Sequence, residues 1–244
     1  MPDSYLMQID APGITLMAQP GQFIMVQCGR ELLLRRPFSI HRVAKKGRNN
    51  EFYLLFAQVG KGTFWLSQRK VGDKINILGP LGKGFSIAPQ ARNLLLVAGG
   101  VGIAPLLFLA EQARAQDKSL ILLLGASTAN KLFPHHLMPD KIQTFATTED
   151  GSAGKKGMVT DIVSDFLAWA DQIFVSGPVA MYQRLASQKE TRDKSIQVSL
   201  EVRLGCGLGA CYGCTIKTKQ GLKKICHDGP VFELNEIIWE EVRI

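Results

Sequence analysis

Four cysteines crowd into one short stretch of the chain and restrict what that stretch can become. They are Cys206, Cys211, Cys214 and Cys226, spaced C-x4-C-x2-C-x11-C, with Gly205, Gly207, Gly209 and Gly213 beside and between the first three. Disulfides scattered through a secreted fold do not cluster so tightly, so the pattern points to a metal site in a reducing, cytoplasmic setting. The first three ligands match the plant-type [2Fe–2S] spacing. A loop that carries three thiolates around one cluster must turn sharply and aim backbone N–H groups at sulfur, and glycine permits both. A structural zinc site with four thiolates is the alternative reading. Zinc loops usually pair two C-x2-C knuckles, and here only Cys211 and Cys214 form one. The fifth cysteine, Cys28, reads as a small buried hydrophobe at the end of a strand.

The remaining sequence has to build a scaffold for that loop. Of 244 residues, 46% are hydrophobic and 20% charged, the balance of a globular chain and not of a disordered one. The length suits one large domain, or two small ones with an appendage. A net charge of +8 leaves nucleic acid, an anionic membrane and phosphate-bearing cofactors open as partners. The basic pairs Arg35-Arg36, Lys45-Lys46, Lys155-Lys156 and Lys223-Lys224 are scattered, and no RNP or helix-turn-helix signature occurs, so nucleic acid is not expected. Met1 to Pro12 carries Asp3 and Asp10 and no apolar run, unlike a signal peptide. The longest uncharged stretch, Leu94 to Ala110, is short for a membrane span and is interrupted by Gly99, Gly100, Gly102 and Pro105. His41, His135, His136 and His227 show no metal-ligand spacing; only His227, beside Cys226, is placed to touch the surroundings of a metal.

Two rhythms divide the scaffold. Up to about residue 90 the chain reads as β: Phe23–Cys28, Phe38–Val43, Phe52–Ala57 and Lys74–Leu78 are strand-like, with a short helix at Phe64–Arg69. Glycine and charged turns separate them at the spacing of an antiparallel barrel. From residue 91 apolar strands alternate with helices. Strands are expected at Asn93–Ala98, Ser119–Gly125, Ile142–Thr147 and Gln172–Ser176, and helices at Leu106–Gln116, Asp161–Ala168 and Val179–Lys189. That alternation implies a parallel α/β sheet. The expected organisation is 1–90, 91–196 and a cysteine-bearing segment 197–244.

Several turns carry chemistry. Gly99, Gly100 and Gly102 follow a strand and open a helix, where backbone can approach a pyrophosphate and the helix N-terminus favours its charge. Pro105 replaces the third glycine of the usual fingerprint, and a tight βα turn without a ligand is the alternative. Ser176-Gly177-Pro178 flanks the same crevice. No Walker pattern occurs, which argues against an ATPase. In the β half, Arg36 can pair with phosphate, Phe38 offers a ring for stacking, Ser39 a hydroxyl, and Gly60-Lys61-Gly62-Thr63 a second phosphate-binding turn. Read alone, each is equally a solvated basic turn with a core Phe.

Together, Arg36-Pro37-Phe38-Ser39, Gly99-Gly100-Val101-Gly102-Ile103-Ala104-Pro105 and the four-cysteine loop resemble the ferredoxin–NADP reductase superfamily. Glu201 through Cys226-His227-Asp228-Gly229-Pro230 resembles more closely the electron-transfer subunits of NAD-dependent dihydroorotate dehydrogenases, as does the Thr148-Glu149-Asp150-Gly151-Ser152 turn. The resemblance implies that Arg36, Gly62 and Thr63 hold the phosphates of FAD. It places Pro37, Phe38 and Ser39 at the isoalloxazine, with Leu55, Phe56 and Ala57 lining it through backbone. Gly99, Gly100 and Gly102 would take the nicotinamide nucleotide, and Cys206, Cys211, Cys214 and Cys226 a [2Fe–2S] cluster. Gly125-Ala126-Ser127-Thr128 stands where an arginine is usual in that family, which favours NAD over NADP, although Lys131 lies nearby.

The implied reaction is an electron relay. NADH gives a hydride to FAD, electrons pass singly to the cluster, and an FMN in a partner catalytic subunit of a heterotetramer exchanges them with dihydroorotate in pyrimidine biosynthesis. Ring alignment, and no side-chain acid or base, carries the hydride step. Two other readings stand beside it: a reductase subunit of another flavin and iron–sulfur complex (hydrogenase, transhydrogenase or oxygenase type), and a non-enzymatic zinc-stapled binding module. The roughly 47 residues after Gln197 are too few for a complete oxygenase-type ferredoxin domain.

Overall fold

The computed structural model describes residues 1–46, 49–140 and 142–242; of Lys45, Lys46 and Asn49 only the backbone is described, so the side chains of that basic pair lie outside the described residues. The first part contains β1 (Ser4–Asp10), α1 (Pro12–Met17), β2 (Phe23–Val26), β3 (Arg36–Lys46), β4 (Asn49–Ala57), α2 (Lys61–Ser67) and β5 (Ile77–Leu81). The strands form one antiparallel sheet in the order β1-β4-β3-β2-β5. In β4, Phe52, Leu54 and Phe56 alternate inward and are buried, the period-2 pattern that made this strand readable. β1 carries a weaker signal because it is an edge strand with several exposed positions, yet it pairs with β4 from Ser4↔Ala57 to Asp10↔Glu51.

The second part contains β6 (Asn93–Gly99), α3 (Ile103–Arg114), β7 (Ser119–Ala126), β8 (Gln143–Thr148), β9 (Lys155–Lys156), β10 (Gln172–Ser176), α4 (Val179–Ser187) and β11 (Ile196–Ser199). Leu94 to Ala98 are buried on both faces, as the central strand of a parallel sheet requires. One element departs from expectation. Instead of a helix over Asp161–Ala168 the chain makes two 3-10 turns, Val159–Asp161 and Val163–Phe166. The Asp161 carboxylate accepts the Met158 N–H at 2.9 Å and pairs with Arg184, so it closes the first turn instead of starting a helix.

After β11 come β12 (Thr215–Thr218), β13 (Gly221–Lys224), the one-turn α5 (Ile225–Asp228) and β14 (Val231–Glu233). β12 and β13 make a hairpin, and β14 returns to pair antiparallel with β11. The large sheet therefore runs β14-β11-β10-β6-β7-β8-β9, parallel except at β14. Strand order reverses beside β6, which opens a crevice at the carboxyl ends of β6 and β10. Strand β11 spans residue 197, so the cysteine-bearing segment starts inside this sheet.

The sheets are joined by specific contacts. His41, at an irregularity in β3, turns inward and its Nδ1 lies 2.9 Å from the Ala104 carbonyl of α3. The Lys83 N–H donates to the Gly229 carbonyl at 2.6 Å, and the Gln197 side chain bonds Ser86 at both its backbone N–H and its hydroxyl. No helix among the described residues is long and apolar enough to cross a membrane.

Candidate functional site

Two cavities and one cysteine loop meet at the junction of the sheets. The first cavity, about 760 Å³, is walled by Arg36, Pro37, Phe38 and Ser39 at the start of β3, by Leu55, Phe56 and Ala57 at the end of β4, and by Thr63. Its far wall comes from Ser199 to Leu204, Ile225 and Pro230. Arg35, Arg36, Glu201 and Arg203 are the charged groups on its wall, and Arg36 Nη1 donates to the Leu34 carbonyl at 2.6 Å. Gly62 lies beneath that side chain, since a Cβ there would stand 3.0 Å from Arg36 Cγ. The Phe38 ring meets Phe56 edge-on at 5.5 Å. The Thr63 hydroxyl accepts N–H bonds from Val59 and Gly60 at 2.9 and 3.0 Å, which shapes the turn opening α2. A largely apolar slot edged by guanidinium groups and a few hydroxyls fits a flat ring system carrying phosphates.

The second cavity, about 870 Å³, lies in the crevice beside β6. Gly99, Gly100 and Gly102 form one lip and Gly177 and Pro178 the other. Gly100 has φ +55°, a left-handed conformation that glycine adopts freely. A Cβ on Gly102 would stand 2.3 Å from the Ser176 carbonyl oxygen, so close strand packing excludes any side chain there. Ser127, Lys131 and Glu149 line the end of the cavity near β7 and β8, and Arg184 lines it while paired with Asp161. The Thr160 hydroxyl on this wall is buried and has no protein partner among the described residues, leaving a polar atom suited to a ligand.

The cysteine loop packs against β2, where a Cβ on Gly207 would stand 2.8 Å from Met25 Cγ. Gly207 and Gly209 have φ of +74° and +79°, and Tyr212 joins them at +57°. The loop thereby turns N–H groups onto sulfur. The Leu208 N–H reaches Cys206 Sγ at 3.3 Å, the Gly209 N–H reaches Cys226 Sγ at 3.1 Å, and the Cys226 N–H reaches Cys214 Sγ at 3.5 Å. Backbone N–H bonds, that of Leu208 first, hold the Cys206 thiol down to about 6, so it is a ready thiolate. Burial, together with the neighbouring Cys214 sulfur at 3.4 Å, pushes Cys226 up to about 12. All five cysteines are free thiols, and Cys28 is buried in the β2 core. The three thiols of the loop and that of Cys226 in α5 are neighbours without closing a tight coordination shell: among the described residues no three His, Cys, Asp or Glu side chains converge as a compact metal site. Four thiol donors with N–H groups aimed at the sulfurs suit an iron–sulfur cluster.

A family model described as the iron–sulfur cluster binding domain of dihydroorotate dehydrogenase B matches residues 201–238. A relative from Desulforamulus reducens, named dihydroorotate dehydrogenase B (NAD(+)), electron transfer subunit, is 37% identical over 248 residues, covering 98% of this chain and 94% of its own length. This chain belongs to that family of electron-transfer subunits. A Bacillus cereus (strain G9842) member is 37% identical over 231 residues, with 91% and 88% of the two chains covered. The fold is that of a ferredoxin–NADP reductase. A solved structure of the NADH-dependent reduced ferredoxin–NADP oxidoreductase, studied for flavin-based electron bifurcation, matches with a TM-score of 0.87 at 30% identity, covering 98% of this chain and 86% of that one.

The structure groups most of the sequence-predicted residues around two cavities and one cysteine-bearing region. Arg36 to Ser39, Leu55 to Ala57 and Thr63 line one cavity, with Gly62 behind Arg36 and not on the wall; Gly99, Gly100 and Gly102 line the other; and Cys206, Cys211 and Cys214 share one loop that Cys226 of α5 faces. Sequence reasoning did not single out Thr160, or Glu149 and Glu201 as wall residues. All three follow the carboxyl ends of parallel strands or their connecting turns, the end at which ligands bind in such sheets. His227 is exposed and backs the loop: a Cβ on Gly209 would stand 2.9 Å from His227 Cβ.

Proposed function

We propose that this chain relays electrons between NAD(H), FAD and a [2Fe–2S] cluster, exchanging them with the FMN of a dihydroorotate dehydrogenase catalytic subunit in a cytoplasmic heterotetramer. Residues 1–90 would bind FAD, 91–196 the nicotinamide nucleotide and 197–244 the cluster. The observation that carries this reading is contiguity. Val101 and Glu201 belong to both cavities, and Leu204 and Ile225, close in sequence to Cys206 and Cys226, belong to the first. When bound, the flavin converts a two-electron hydride donor into single electrons, which the cluster accepts.

The chain's own part is binding and alignment. Arg36 neutralises pyrophosphate charge, and the Gly99–Gly102 turn brings backbone N–H groups to the dinucleotide. Phe38 and Val101 exclude water from the place where the two cavities join, and the Leu208, Gly209 and Cys226 N–H groups stabilise negative charge on sulfur. The absence of an arginine at Ser127 supports NAD as the nucleotide.

The likeness to the bifurcating oxidoreductase favours one other reading, a reductase subunit of a different flavin and iron–sulfur complex. Co-expression with an FMN-bearing dihydroorotate dehydrogenase subunit separates the two. The expected result is a co-purifying complex that holds FAD and iron and reduces NAD+ with dihydroorotate. A chain that never binds such a subunit, releases a flavin other than FAD, or is not bleached by NADH refutes the proposal.

A further inference from the structure

Strands β10 and β11 run side by side in parallel until Ser176 meets Ser199, and there the pairing stops. Beyond that point the two chains part. One makes the Gly177-Pro178 lip of the nucleotide crevice, and the other makes the Ser199–Leu204 wall of the first cavity. A single side chain bridges the gap. Tyr182, in α4, is completely buried, and its hydroxyl donates to the Ser199 carbonyl at 2.6 Å while accepting the Gly177 N–H at 2.8 Å. A direct N–H to carbonyl bond would bring those two atoms to about 2.9 Å. The inserted oxygen holds them further apart and satisfies both.

The Gly177 nitrogen is also the atom against which the glycine turn rests. A Cβ on Gly102 would stand 2.7 Å from it, and a Cβ on Gly177 would stand 3.1 Å from the Gly99 nitrogen. Val101 of that turn lines both cavities. The hydroxyl therefore sits between the turn that faces the nucleotide and the wall that backs the first cavity. The ring behind it is wedged: it lies 5.5 Å from the Trp239 ring, whose Nε1 donates to the Leu234 carbonyl at 2.9 Å. A phenylalanine would fill the same core space. The hydroxyl adds only the bridge between two cavity walls, so its effect falls on their spacing. We propose that Tyr182 is a positioning residue for hydride transfer, its hydroxyl setting the spacing between the glycine turn and the flavin-side wall and with it the alignment of the two rings. This rests on the electron-relay reading and adds to it the residue that fixes the geometry on which the hydride step depends. No proton or electron passes through Tyr182 in this role.

The test removes one oxygen. Tyr182→Phe and the native chain, both loaded with FAD and cluster, are compared for the rate constant of flavin bleaching at saturating NADH, for the dissociation constant of NADH, and for bleaching by dithionite, which needs no ring alignment. The NADH rate constant is expected to fall about tenfold, short of the roughly 100-fold that a misplacement of about 1 Å can cost. The dissociation constant and the dithionite rate should stay within about twofold of native values. Apart from activity, exchange of the Gly177 amide followed by NMR should be as slow in the native chain as that of Val175, and at least about tenfold faster in Tyr182→Phe. Tyr182→Leu, which lacks ring and hydroxyl, should be slowed in bleaching at least as much as Tyr182→Phe. An unaltered NADH rate in Tyr182→Phe overturns the inference, whatever Tyr182→Leu does. Weaker NADH binding at an unchanged rate assigns the hydroxyl to affinity and also overturns it. Loss of FAD or iron from Tyr182→Phe, or equal slowing with dithionite, marks a structural role and does the same. A Gly177 amide that exchanges freely in the native chain overturns it without a variant. A native chain that NADH does not bleach refutes the electron-relay reading; a bleached native chain beside an unaffected Tyr182→Phe refutes this inference alone.

Discussion

Cys226 shows how one residue's surroundings select its chemistry. It is buried, takes an N–H from Gly209, and stands 3.4 Å from Cys214 Sγ. Alone its thiol would stay protonated; bound to a cation it is a thiolate already supplied with a donor. Cys226→Ser is expected to abolish cluster iron and its visible absorption while FAD remains and NADH still bleaches it, as iron analysis and spectra would show. At the other cavity, Ser127 occupies the wall beside Lys131. A guanidinium there would complete a phosphate-binding pair, so Ser127→Arg should lower the KM for NADPH by about tenfold with little change for NADH. Both expectations come from residue type and spacing. The place of Glu201 in the walls of both cavities was not legible in that way, because an isolated acid before a cysteine motif has no spacing signal.

At the level of elements, long apolar runs were the most readable feature. Leu94 to Ala98 and Leu120 to Leu124 fill the middle of the sheet, and their hydrophobic continuity leaves no other solution. The Val159–Phe166 stretch misled because buried Val159, Ile162 and Val163 imitate helical spacing, whereas the Asp161 side chain bonds back to Met158 and ends the turn. The β14 return to β11 was hidden for a different reason: a three-residue strand has no period of its own and is defined by its partner. Close packing of elements gives a further expectation. With the Ser176 carbonyl 2.3 Å from where its Cβ would sit, Gly102→Ala must separate the ends of β6 and β10. It should cost on the order of 1–3 kcal/mol, read as a lower urea midpoint, and weaken NADH binding in parallel.

For the whole molecule, the contact between the sheets contains a titratable group. His41 is buried against Ala104, and burial lowers it from 6.5 to about 4. The folded protein thus holds His41 neutral where the unfolded chain protonates it. Stability from this group is complete above about pH 6.5 and is lost as the pH falls towards 4, by as much as ~3 kcal/mol. Urea unfolding between pH 4 and 7 should show that slope, and His41→Gln should flatten it relative to the native chain. The mutual placement of the lobes was not legible in the sequence, because it depends on distant backbone meetings such as Lys83 with Gly229.

That meeting bears on how the protein is made. Ile225 and Pro230 wall the first cavity together with Arg36 and Ser39, which leave the ribosome long before them. The pocket has no far wall while the chain is being synthesised, and β11 waits for β14. A flavin held there would be captured late in biogenesis, together with docking of the segment that carries the cysteines, so a nascent chain would not hold a flavin without its outlet for electrons.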